Sequence, residues 1–177
     1  IQQKKYDEAI DDYTRALKFN PDNQGFWQNR AICRMEMKEY DQALNEIDTI
    51  LTKWSKFARA YNMRAEIYLN KKDTTEAIKA LNKSVDLDPY DGGTWQALSM
   101  VSLSRKEWKD AEKYLDKAIH LQPKRADHYI NRALARFNQN NLRGTMADYD
   151  TALDLDPNNF LGHYNRGLLR VQVGDDN

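Results

Sequence analysis

Prolines stand at positions 21, 89, 123 and 157, and each closes a similar run: Ala16-Leu17-Lys18-Phe19-Asn20-Pro21, Ser84-Val85-Asp86-Leu87-Asp88-Pro89, Ala118-Ile119-His120-Leu121-Gln122-Pro123 and Ala152-Leu153-Asp154-Leu155-Asp156-Pro157. The last three are 34 residues apart and the first interval is twice that, with Ser55 at its midpoint where the proline is missing. A period of this length specifies a repeat array, in which each unit buries its apolar face only by stacking on its neighbours. Chain length then counts units instead of domains.

Tyr6, Ala9, Ile10, Tyr13, Ala16 and Leu17 recur at spacings of three and four, so residues 1–19 read as a helix with one apolar face, ended by Pro21. From Gln24 onward each unit holds a first helix (about 24–37, 58–71, 92–105, 126–139) and a second (about 40–53, 74–87, 108–121, 142–155), and a last first helix fills 160–173. The organisation expected is a half unit at 1–23, units at 24–57, 58–91, 92–125 and 126–159, and a half unit at 160–177. One small column, Ala31, Ala65, Ser99, Ala133 and Gly167, runs through the first helices, and another, Ala9, Ala43, Ala77, Ala111 and Thr145, through the second. Small side chains there let paired helices approach closely, while Trp27, Tyr61, Trp95, Tyr129 and His163 fill the space beside them. The missing proline in Lys53-Trp54-Ser55-Lys56 predicts an irregular helix end, and Thr74, Gly144 and Thr145 predict weak helix starts.

The order of a bulky aromatic, a small residue, an aromatic, Ala, a bulky residue, Ala and Pro appears as Trp95, Ser99, Trp108, Ala111, Leu115, Ala118 and Pro123, and again from Tyr129 to Pro157. In this order and period the whole chain resembles the tetratricopeptide repeat family. The resemblance implies an all-α fold of about ten helices: antiparallel pairs stacked into a right-handed superhelical solenoid, with first helices lining a concave groove. It also implies a protein-binding role without catalysis or cofactor. Family members that hold a chaperone's C-terminal carboxylate use Lys or Asn on one first helix, Asn on the next and Lys or Arg on the third. The matching positions here hold Gln28 and Ile32, Met63, and Gly93 and Ala97, and no later starting unit restores the set, so that specialisation is not expected.

A step of 18 residues from a charged column of the second helices reaches a charged column of the next first helices. It matches Asp12 with Arg30, Glu46 with Arg64 and Asp148 with Arg166, the apolar Ala80 with Leu98, and Tyr114 with Arg132. Pairing inside a unit would set Ala80 against Arg64. The expectation is therefore three ion pairs across the joints between successive units.

Chemistry-bearing motifs are absent. His120, His128 and His163 occupy non-equivalent positions without a liganding partner, and Cys33 sits between apolar neighbours as a packed thiol. Asp154-Leu155-Asp156-Pro157-Asn158-Asn159 lacks the glycine and distal glutamate of a calcium loop, and Gly92-Gly93 has no strand before it and no Gly-Lys-Ser/Thr after it. No metal, cofactor or catalytic residue is expected.

Lys+Arg and Asp+Glu both number 27, which gives no bulk argument for nucleic acid or an anionic surface. No apolar run reaches the roughly 20 residues of a membrane span, and the compartment stays open between cytoplasm and periplasm. Ile1-Gln2-Gln3 reads as the interior of a longer gene product.

Helical geometry projects an apolar stripe beside amides from the first helices: Gln28, Ile32 and Met35; Asn62 and Leu69; Gln96, Met100 and Leu103; Ile130, Leu134 and Phe137; Tyr164 and Leu168. Such a surface suits an extended peptide or a partner helix, with amides for its backbone and apolar pockets for its side chains. The reading is a non-catalytic scaffold or adaptor module. The alternatives are self-association through the array ends, where Ile10, Tyr13 and Leu17 lack a preceding helix, and service as the regulatory arm of an enzyme outside these residues. RNA-reading helical repeats use paired polar positions, whereas these columns are apolar.

Overall fold

The computed structural model describes residues 2–174, so Ile1 and residues 175–177 of the two expected half units lie outside the described residues. The regular structure among them is helical: α1 (Gln2–Phe19), α2 (Gln24–Glu36), α3 (Tyr40–Lys53), α4 (Ala58–Asn70), α5 (Thr74–Leu87), α6 (Gly92–Ser104), α7 (Trp108–Leu121), α8 (Ala126–Asn138), α9 (Leu142–Leu155) and α10 (Phe160–Val173). They fall into two compact units, α1 to α5 in residues 1–89 and α6 to α10 in residues 90–177. Within each unit sequence-adjacent helices pack on one another through short connections that reverse the chain.

The small columns make the contacts close. Ala31, Ser99 and Ala133 on first helices and Ala43, Ala77, Ala111 and Thr145 on second helices are wholly buried. In the first unit Ala31, Ala43, Ile47, Ile50, Ala60, Met63 and Ile67 form a continuous core flanked by Trp27, Trp54 and Phe57. In the second, Ala133, Tyr149 and Leu169 are packed by Ile130, Phe137, Leu142 and Met146. Cys33 is buried and free, and burial pushes its thiol pKa up, away from the reactive thiolate.

One joint recurs where a second helix hands over to the next first helix. Trp27 Nε1 donates to the Pro21 carbonyl at 2.8 Å, Tyr129 Oη to the Pro123 carbonyl at 3.0 Å, and His163 Nε2 lies 2.9 Å from the Pro157 carbonyl. Tyr61 Oη makes the same bond to the carbonyl of Ser55 at 3.4 Å. The irregularity expected at Trp54-Ser55 is not found: α3 ends on Trp54 with φ −132° and ψ 72°, as α7 ends on Gln122 with φ −133° and ψ 66°. The joint uses the backbone oxygen at this position, and serine supplies one as well as proline does.

The weak starts are also compensated. Asp73 Oδ1 accepts from the Glu76 amide and Asn141 Oδ1 from the Gly144 amide, while Thr145 Oγ1 donates to the Asn141 carbonyl. A Cβ at Gly144 would stand 2.7 Å from the Asn141 side chain, so the glycine leaves room for its own cap.

Every turn from first to second helix passes through a left-handed residue that is not glycine: Lys38, Lys72, Lys106 and Asn140, with φ of 61°, 62°, 59° and 60°. Each closes a helix end, as where the Lys106 amide donates to the Leu103 carbonyl at 3.0 Å and that of Glu107 to Ser102 at 2.9 Å. A lysine Cβ is crowded in this conformation and a glycine is not. Lys106→Gly is expected to raise stability by about 0.5–1 kcal/mol, measured as an increased midpoint in urea unfolding.

Candidate functional site

The charged columns and the first-helix surface are the two candidate sites, and the structure redraws both. Arg30 on α2 donates from Nη2 to Glu46 Oε2 at 3.0 Å, and Arg34, one turn on, donates from Nε to Glu46 Oε1 at 3.0 Å. The other edge of Arg30 reaches back to Thr14 Oγ1 on α1 at 2.9 Å. In the second unit Arg132 donates from Nη2 to Asp148 Oδ1 at 2.6 Å and from Nε to Asp148 Oδ2 at 3.0 Å. Its Nη1 meets Asp116 on the preceding second helix at 2.7 Å. Arg136 adds a bond to Asp148 Oδ2 at 3.0 Å and another to Glu112 at 2.7 Å. Asp148 is almost wholly buried under this pair of guanidinium groups.

The pairs expected across the joints at a step of 18 residues are therefore corrected. Arg64 is bonded to Asp48 and not Glu46, Arg166 to Asp150 at 2.8 Å and not Asp148, and Arg30 to Thr14 and Glu46 and not Asp12. The working step is 16 in both directions from the arginine. Two residues along a helix turn a side chain by about 200°, so Asp148 faces α8 while Asp150 faces α10. Ala80 leaves Arg64 without an acid in its own repeat, and Asp48 of the preceding one serves it.

Burial opposes the charge on Arg132, yet the hydrogen bonds from Asp148 and Asp116 outweigh it and hold its pKa above its ordinary value. Burial likewise opposes the Glu112 carboxylate, but Arg136 and Gln139 hold it below the usual carboxylate range. A cavity of about 330 Å³ lies beside the equivalent cluster of the first unit, lined by residues that include Arg30, Arg34 and Glu46. Both of its guanidinium groups are already engaged, Arg30 and Arg34 by Glu46 and Arg34 also by Glu39.

On the first-helix surface, Ile32 and Met35 of α2 are half-buried and pack against the core, and Gln28, Asn62 and Leu69 are half-buried as well. In the second unit four of the expected groove residues are exposed, Met100 at 49%, Leu134 at 43%, Tyr164 at 55% and Leu168 at 54%, while Phe137 is half-buried and packs on the core. The unit's first helices lie side by side, with Asn131 Nδ2 on Met100 Sδ at 3.6 Å and Gln96 Nε2 on Asp127 Oδ2 at 3.3 Å. Gln96 is thus engaged by Asp127, whose carboxyl Arg125 holds below the ordinary range. Leu103 and Ile130 are half-buried.

Between α8 and α10 a pocket of about 150 Å³ opens, lined by Leu134, Phe137, Tyr149, Asn165, Leu168, Leu169 and Gln172. Leu134, Phe137 and Leu168 are foreseen by helical projection. Tyr149 and Leu169 are not, because as core residues they form the pocket floor, which only the packing of α9 beneath reveals.

His128 is fully buried, and both ring nitrogens lack a hydrogen-bond partner. Burial holds its pKa below the ordinary value, against a smaller opposing pull from Asp127. Among the described residues no group of three or more His, Cys, Asp or Glu could hold a metal ion, and no helix is long and apolar enough to cross a membrane.

Comparison with known proteins returns one family. Models described as tetratricopeptide repeats match residues 1–67 and 58–91, and a third, described as TPR repeat, matches 135–174. The E3 ubiquitin-protein ligase CHIP of Arabidopsis thaliana is 28% identical over 87 residues, 49% of this chain and 31% of that protein. The Hsp70-Hsp90 organising protein of Plasmodium falciparum is 34% identical over 94 residues, 48% of this chain and 16% of that protein. The chain thus spans less than a third of either relative. Among solved structures, YrrB, a TPR protein with an unusual peptide-binding site, superposes with a TM-score of 0.81 at 21% identity over 93% of this chain and 84% of that one. MamA from Desulfovibrio magneticus gives 0.78 at 20% identity over 87% of both chains. The first TPR domain of Spaghetti (RPAP3), bound to an HSP90 peptide, gives 0.62 at 25% identity over 66% of this chain and 93% of that one.

Asp148→Asn, at an almost wholly buried carboxylate that accepts from both Arg132 and Arg136, should cost about 3 kcal/mol or more, whereas Asp150→Asn, at a half-exposed carboxylate, should cost under about 1 kcal/mol; parallel urea unfolding of both variants measures the difference. For His128, the unfolded chain takes up a proton below the ordinary histidine pKa while the folded chain resists it. Stability is therefore complete above that value and is lost as pH falls toward the depressed folded pKa. Thermal midpoints recorded between about pH 7.5 and about pH 5 should fall with pH, and His128→Leu should flatten the slope.

Proposed function

Because the chain belongs to the tetratricopeptide repeat family, we propose that it is a non-catalytic scaffold or adaptor module that holds an extended peptide on the first helices of its second unit. We read it as four repeats, 24–57, 58–91, 92–125 and 126–159, between half repeats at 1–23 and 160–177. The observation that carries the proposal is the pocket between α8 and α10, whose apolar wall of Leu134, Phe137 and Leu168 is flanked by the amides of Asn165 and Gln172. That combination accepts one apolar side chain of a peptide while the amides meet its backbone. Met100 and Tyr164, exposed on either side, extend the apolar track to neighbouring residues of the ligand.

Peptide binding by YrrB and by the Spaghetti domain supports the general mode. The ligand differs in kind from a chaperone C-terminus, since the positions that would clamp a carboxylate hold Gln28, Ile32, Met63, Gly93 and Ala97, and Met63 is buried in the core. Anchoring by an apolar side chain replaces anchoring by charge.

The test is selection of binders from a random peptide library, followed by fluorescence anisotropy with the selected peptides. Leu134→Glu/Leu168→Glu, at two exposed positions whose loss leaves the core intact, should weaken binding tenfold or more, about 1.4 kcal/mol. Undiminished affinity in the double variant would place the ligand elsewhere and overturn the reading.

A further inference from the structure

The chain holds five methionines, Met35, Met37, Met63, Met100 and Met146, and packing treats them unequally. Met63 is buried in the core of the first unit and Met35 packs against it, while Met146 packs against the core of the second. Met37, which closes the end of α2, is half-buried. Met100 is the one with half its surface in solvent. It stands on α6, an interior helix packed on α7, one period before Leu134 and two before Leu168. The three residues therefore share a column of the first helices, and the last two wall the pocket between α8 and α10.

The sulfur is also held. Asn131 on α8 donates from Nδ2 to Met100 Sδ at 3.6 Å, a contact that spans two first helices. A thioether is a weak acceptor, so this amide remains free to turn to the backbone of a ligand lying on the same surface. Oxidation changes both partners at once. A sulfoxide replaces a flexible apolar side chain with a polar, chiral one, and it offers the Asn131 amide an oxygen in place of a sulfur. The apolar track is broken at Met100, and the amide beside it is engaged.

We propose that Met100 is a site of reversible oxidation by peroxide that weakens ligand binding on the second unit, a regulation that rests on the peptide groove proposed for that surface. A lone pair of the sulfur attacks one oxygen of hydrogen peroxide, the O–O bond breaks, and the other oxygen leaves as water. Sulfur loses two electrons and the peroxide gains them. A methionine sulfoxide reductase reverses the step, with a dithiol as reductant that becomes a disulfide as the oxygen departs as water. Because the other four side chains are buried or half-buried, the fold is kept while the track changes from apolar to polar.

Graded treatment of the folded chain with hydrogen peroxide, followed by peptide mapping in a mass spectrometer, reads the site. Met100 should gain one oxygen before any other methionine, with the circular dichroism unchanged. Fluorescence anisotropy with the library-selected peptides reads the consequence: the chain oxidised at Met100 should bind about five- to tenfold more weakly. Sulfoxide reductases of both stereospecificities, with dithiothreitol, should restore the affinity. Met100→Leu, whatever its own affinity, should not respond to peroxide. Earlier oxidation of another methionine, or affinity unchanged once Met100 is oxidised, would overturn the proposal; loss of binding in Leu134→Glu/Leu168→Glu would then still uphold the groove. Undiminished affinity in that double variant would remove the groove and this regulation with it.

Discussion

Helix pairs in this protein approach closely because two columns of side chains stay small. With Ala31 against the α3 side and Ala43 against the α2 side wholly buried, the space between backbones is filled by residues on either flank, Ile47 and Ile50 among them. Everything else is set by that spacing. A guanidinium group on a first helix reaches the carboxylate of its own second helix, and an aromatic ring reaches the carbonyl at the end of the preceding one. The hydrophobic contribution is large but repetitive, and it does not by itself distinguish one register from another.

Register comes from the polar groups. Arg132 is held by Asp116 before it and Asp148 after it, so one side chain ties three consecutive helices of the second unit. Arg30 does the same in the first unit with Thr14 and Glu46. Because Glu46 and Asp148 are buried and each guanidinium is bonded on more than one edge, a slip of the helices would leave those carboxylates stranded, a larger penalty than a slip of apolar surface.

Much of this could be read without coordinates, and the failures have a common cause. Helix ends follow from Pro, Asn and Asp at fixed intervals, and the observed α3, α5, α7, α9 and α10 occupy the expected spans. The period aligns Asp148 with Glu46 and Arg166 with Arg132, but it is silent about which neighbour a column faces. Asp148 and Asp150 are both acidic and both near an arginine column, and only the rotation of α9 decides between them. The stripe of groove residues suffers the same loss: helical projection treats Ile32 and Leu134 alike, although the first is packed against the core and the second is free. Ser55 misleads in the opposite direction, since a missing proline suggests an irregular helix end where only an oxygen atom is required.

That oxygen has a consequence for how such a chain can change over time. A linkage whose acceptor belongs to the main chain is indifferent to the identity of the residue that carries it, and its donor has already been tryptophan, tyrosine and histidine within these residues. Units can drift, duplicate or be exchanged without renegotiating the joint. The repeats are free to diverge on their outer surfaces because the connection between them is written in the backbone.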